Sequence, residues 1–113
     1  MNLINLTPHS LTLRSATGED TILPSSGVAR VASTPGALEF IAGVPVPVAG
    51  ATRFGAVEGL PEAREGTFFV VSGVVLAALR GSRADVLGPG TGPQDGAVRE
   101  NGQVVAVTRL VRG

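Results

Sequence analysis

Glycine and proline interrupt this chain so often that its regular elements must be short. There are 16 glycines and 8 prolines among 113 residues. Glycine adds backbone freedom that folding must remove, and proline fixes φ and lacks an N–H donor. The segments between these breaks are rich in valine, whose branched side chain suits a pleated surface. The pattern predicts a mainly β chain of short strands and frequent turns, α+β at most, with space for one short helix.

At this length the chain is expected to form one β-rich domain over residues 1–113. Nine basic residues balance nine acidic ones, so no general field draws in nucleic acid or an acidic membrane. All nine basic residues are arginine. Most of that set reads as the codon preference of a GC-rich genome, leaving one or two planar forks for a carboxylate or phosphate. There is no cysteine, which excludes disulfides, thiolate metal sites and cysteine nucleophiles. His9 is the only histidine, so a multi-histidine metal site could form only across subunits, and no cofactor is expected. The opening MNLINLTPHS lacks the basic and apolar regions of a signal peptide. No apolar run reaches the roughly 18–20 residues of a membrane span, and the expected location is the cytoplasm.

In chain order, Leu3, Ile4 and Leu6 form a short apolar strand. The turn Thr7-Pro8-His9-Ser10 leads to an alternating strand at Leu11 and Leu13, so the two read as a hairpin or a kinked strand. Ile22 and Leu23 resume an edge-like strand ended by Pro24, and Val28 to Ser33 alternates as another. Leu38 to Ile41 is short and apolar. Val44-Pro45-Val46-Pro47-Val48 fits only an edge strand or an extended segment, since its prolines remove donors. Thr52 to Val57 is a strand with Gly55 as a bulge.

The densest apolar segment follows. Thr67 to Val71 predicts a central, buried strand. Ser72 is placed as a helix N-cap, Gly73 to Arg80 as a two-turn helix apolar on all sides, and Gly81 as its C-terminal stop. Ala84 to Leu87 is a strand, and Gly88 to Pro93 is too broken to be regular. Asn101-Gly102 between β-branched runs predicts a type I′ hairpin whose second strand reaches Val111. The architecture that fits best is a small antiparallel β-barrel or β-roll with one short helix over an end. The alternative is an α+β sandwich.

Few residues could carry chemistry. His9 is the one side chain that ordinarily titrates near neutral pH. Ser72, His9 and Asp85 could be grouped as a hydrolytic triad, but Val70-Val71-Ser72-Gly73-Val74 lacks the first glycine of a nucleophile elbow. Gly88-Pro89-Gly90-Thr91-Gly92-Pro93 has the glycines of a phosphate loop without its lysine, and reads as a surface loop or lid. Glu58, Glu62 and Glu65 do not have the spacing of a calcium loop.

The run Asn5-Leu6-Thr7-Pro8-His9 resembles a family of small proteins found in phages, prophages and actinobacteria. The resemblance extends through Gly55 to Pro61, Glu65-Gly66-Thr67, Val71-Ser72, Arg83 to Val86 and Val98-Arg99. It implies a phage-linked or accessory-gene setting and transfers no catalytic residue. By analogy such proteins bind host proteins or sequester nucleotide signals of antiviral defence.

The function expected is therefore non-enzymatic binding of a small anionic, nucleotide-like ligand. Its walls would be His9, Arg53, Arg83, Asp85, Thr91 and Arg99, with the 88–93 loop as a lid. The alternative is an interaction or structural module, binding a host protein or self-associating as a homo-oligomer through residues 67–80. A small hydrolase is a third reading.

Overall fold

In a computed structural model that describes residues 2–113, short strands dominate and one helix is present. The chain starts with β1 (Asn2–Asn5), followed by the hairpin β2 (Leu11–Arg14) and β3 (Asp20–Leu23). A long ribbon comes next, made of β4 (Arg30–Thr34), β5 (Leu38–Glu39), β6 (Val48–Ala49) and β7 (Arg53–Glu58). Then come β8 (Thr67–Val70), α1 (Gly73–Leu79), β9 (Val86–Pro89), the hairpin β10 (Val98–Glu100) and β11 (Gln103–Ala106), and β12 (Leu110–Val111).

The central sheet has the order β1-β8-β9-β12. β8 is parallel to both β1 and β9, and only β12 runs antiparallel to its neighbour. This corrects the all-antiparallel expectation, and among the described residues the strands close into no barrel. The reason is the connection: α1 carries the chain from the end of β8 back to the start of β9, which forces the two strands parallel. A strand paired on both sides within such a sheet is apolar without alternation. Thr67, Phe69 and Val70 are accordingly buried, as the sequence predicts.

The core is built on that strand. Phe69, Val71, Val75, Leu76 and Val86 cluster with Leu6 and Ala29, and Val31, Val57 and Leu60 pack at the margin. α1 turns Val75 and Leu76 inward. Gly88 makes this approach possible, because a Cβ there would lie 2.8 Å from Leu76 Cδ2. Val74, however, is 48% exposed, and Ala77 is exposed too. The helix is thus buried on one face rather than all round. Ser72 occupies the N-cap position but makes no side-chain capping bond. The helix closes at Arg80, in the left-handed region at φ 52°, before Gly81 at φ 72°.

Several local expectations hold. Asn101 and Gly102 both take positive φ at the tip of β10–β11, the geometry of a type I′ turn. The β4–β7 register slips between Val31 and Ser33, placing a bulge beside Gly55. Three do not hold. β1 and β2 make no hairpin, since β1 pairs with β8 and β2 with β3. Gly88 and Pro89 lie in a strand rather than a loop. The final strand is split at Thr108-Arg109, so β11 pairs with β10 and β12 with β9.

Candidate functional site

The most distinctive surface is the outer half of the long ribbon. β4 pairs with β7, from Arg30↔Glu58 to Thr34↔Arg53. The same two segments pair again as β5 and β6, Leu38↔Ala49 and Glu39↔Val48. The two ladders meet where Gly36 crosses Gly50. A Cβ on Gly36 would lie 2.3 Å from the Gly50 carbonyl carbon, so the backbones approach as only glycine allows. Gly50 N–H donates to Ala37 O at 3.0 Å.

Inside this joint the ribbon packs on α1, with Val31 and Val57 against the core. Beyond it nothing is covered, and every residue of 37–53 is exposed. This arm is nevertheless apolar. Phe40 is 85% exposed, Leu38 62% and Val46 61%, with Ile41, Val44 and Val48 beside them. Its only charged residues are Glu39 and Arg53. Pro45 and Pro47 remove donors near the tip, and only Val48–Ala49 of that segment pairs. The projection shows in the dimensions: the Cα radius of gyration is 16.9 Å and the extents are 55 × 36 × 20 Å. A compact chain of this length would have a radius of about 13 Å.

The Asn5-Leu6-Thr7-Pro8-His9 motif forms a buried knot. Asn5 is fully buried, and all four of its side-chain bonding positions are used. Its amide donates to His9 O at 2.8 Å and Leu23 O at 2.9 Å. Its Oδ1 accepts from Thr7 N at 2.9 Å and from the Thr7 hydroxyl at 2.6 Å. Ser25 Oγ donates to Thr7 O at 2.6 Å. The knot fastens the end of β1 to the end of β3 and turns the chain out of the central sheet. His9 takes part through its backbone carbonyl, and its side chain is exposed.

The six residues selected from sequence do not form one wall. Arg53 lines a cleft at the root of the arm. Arg83 is committed elsewhere: it donates to both carboxylate oxygens of Asp85, at 2.8 and 2.7 Å, and to Pro61 O at 3.0 Å. The guanidinium's hydrogen bonds hold the Asp85 carboxyl below the usual carboxylate range. This pair ties the start of β9 to the 59–66 loop. Arg99 donates to Thr91 O at 2.7 Å, and Asp95 accepts from Gly92 N at 2.9 Å. The loop that reads as a lid is thereby braced at the adjacent residues Thr91 and Gly92. Among the described residues no hydrogen bond joins Ser72, His9 and Asp85.

Sequence reading missed the arm as a site and Asn5 as its own network. The arm had a signal: the apolar residues at 38–48 lie between glycine and proline breaks, too short to span a core. Asn5 had none, since an asparagine in a strand looks like any polar residue.

Among the described residues no helix is long and apolar enough to cross a membrane, and no group of acidic or histidine side chains could hold a metal ion. No family model, curated protein or solved structure matches the chain.

Proposed function

We propose that this protein is a non-enzymatic interaction module that self-associates through the arm at 37–53. The carrying observation is the concentration of exposed apolar side chains on a projection that packs on nothing in its own chain. Contiguous apolar patches of more than a few hundred Å² are uncommon on monomers and mark interfaces.

The occupant is a second copy. The arm exposes about 600 Å² on Leu38, Phe40, Ile41, Val44, Val46 and Val48, taking roughly 150–200 Å² for each side chain fully exposed. Two arms laid together would bury at most about 1,200 Å², the lower end of stable interfaces. An isologous pairing meets each apolar residue with another. It also sets no strong charge against its like, because the arm carries one acidic and one basic residue.

The resemblance in the Asn5–His9 motif supports a phage-linked setting, in which a small self-associating protein would act by presenting or occluding a surface. The test is sedimentation equilibrium across a hundredfold concentration range. A reversible dimer is expected, and a strict monomer at the highest concentration refutes the reading.

A further inference from the structure

The cleft at the root of the arm carries a second inference, which does not rest on self-association although the cleft shares Ala37, Glu39 and Gly50 to Arg53 with the arm. It has a volume of about 570 Å³ and is lined by Gly36, Ala37, Glu39, Gly50 to Phe54 and Arg80. That volume falls within the range of small-molecule sites.

Its two arginines are unlike most others in the chain. Arg14, Arg83, Arg99 and Arg112 each donate side-chain hydrogen bonds within the protein, and Arg109 lies 3.9 Å from Asp95. Among the described residues Arg30, Arg53, Arg64 and Arg80 have no such partner. Arg53 and Arg80 share this one cleft, although they come from the start of β7 and the end of α1.

The backbone of Arg80 adds an independent observation. It stands in the left-handed region at φ 52°, which disfavours any side chain relative to glycine. Glycine is the ordinary residue for such a helix end. A strained position filled by an arginine beside a second unpaired arginine is the pattern of a ligand clamp.

We infer that this cleft binds a phosphorylated ligand of nucleotide size. Two guanidinium forks match the oxygens of a phosphate or diphosphate. The half-buried Phe54 supplies an apolar wall for a ring. Glu39, in the same lining, rejects a bare polyanion and accepts from a ligand hydroxyl or amino group. A sugar and a base supply such donors, and inorganic phosphate at neutral pH supplies them poorly.

Isothermal titration of the full chain with ADP, ATP and pyrophosphate at low ionic strength tests this. ADP and ATP are expected to bind, and pyrophosphate more weakly. Arg53→Gln and Arg80→Gly should each weaken ADP binding about tenfold or more. Glycine at 80 suits the left-handed backbone, so that variant keeps the fold. Arg99→Gln is the control and should bind as the native chain does. No heat with any of the three probes overturns the proposal, as does ADP binding unchanged in both cleft variants. Pyrophosphate binding as tightly as ADP overturns its nucleotide-sized part.

Discussion

Replacing Asn5 by alanine should remove a large share of this protein's stability, and the cost can be worked from the hydrogen bonds. Four contacts disappear: two donated, to His9 O and Leu23 O, and two accepted, from the Thr7 amide and hydroxyl. The Thr7 hydroxyl already lies 2.9 Å from His9 O, so those two groups satisfy each other. Leu23 O keeps Leu11 as its ladder partner, so the group left without a partner is the amide of the buried Thr7. The orphaned amide costs about 1–3 kcal/mol, and the lost bonds to His9 O and Leu23 O about 0.5–1.5 kcal/mol each, so the expected loss is about 4 kcal/mol. Against a typical stability of roughly 5–15 kcal/mol, that would lower Tm by about 15 °C or more. Urea unfolding followed by circular dichroism measures it. Asn5→Asp sharpens the result, because it keeps both acceptors and loses both donors, and turns a carboxylate toward two carbonyls. It should be at least as damaging at neutral pH and recover on acidification, when the acid can donate. A loss below about 1 kcal/mol for Asn5→Ala, under the usual worth of even one orphaned group, would refute the view that this knot holds β1 to β3.

Three other perturbations probe different parts of the molecule. Phe40→Ser removes the most exposed ring of the arm, about 170 Å² of surface. After the costs of association it should weaken the dimer by about 2 kcal/mol, roughly 30-fold in Kd, with Tm unchanged; sedimentation and thermal melting read the two separately. Gly36→Val drives a side chain into the Gly50 backbone. It should open the β5–β6 ladder, seen as faster hydrogen exchange at the Gly50 amide, while core amides stay protected. Asp85→Asn breaks the half-buried pair with Arg83 and should cost about 1 kcal/mol at neutral pH. Because the Asp85 carboxyl titrates below its unfolded value, its contribution is present above about pH 4. It fades as pH falls through the folded value, so the native chain and the variant should converge in acid denaturation curves.

The elements were more legible in the sequence than their arrangement. Thr67 to Val71 announced a buried strand by its unbroken apolar run, and Asn101-Gly102 announced its turn, because both signals are local. The parallel pairing of β8 with β9 also had a trace, in the order strand, helix, strand over some twenty residues, yet the abundance of turns favoured an antiparallel reading. The pairing of β1 with β8 had none, since it joins segments separated by the whole ribbon. The final strand broke at Thr108-Arg109 although its valine pattern continues, because β9 and β10 both need a partner from the same stretch. The site residues fared worse for a related reason. Arg83 and Arg99 do sit near loops, but a guanidinium beside a free carboxylate or carbonyl serves the fold first. Which arginines remain unclaimed depends on contacts that only the folded chain defines. Arg53 met that condition, and so did Arg80, which stands at a helix end where a cation ordinarily suits the dipole.

The crossing of Gly36 and Gly50 separates two kinds of information in one chain. On one side, the buried side chains are chosen by what they pack against, and substitutions among them are felt by the core. On the other side, no side chain of 37–53 is buried, so that segment can drift without lowering the stability of the domain that carries it. A lineage bearing this protein could therefore change what its arm recognises in small steps, each leaving a folded molecule. The two glycines are the exception, and selection on the arm as a whole should be felt there even when its tip is free to vary.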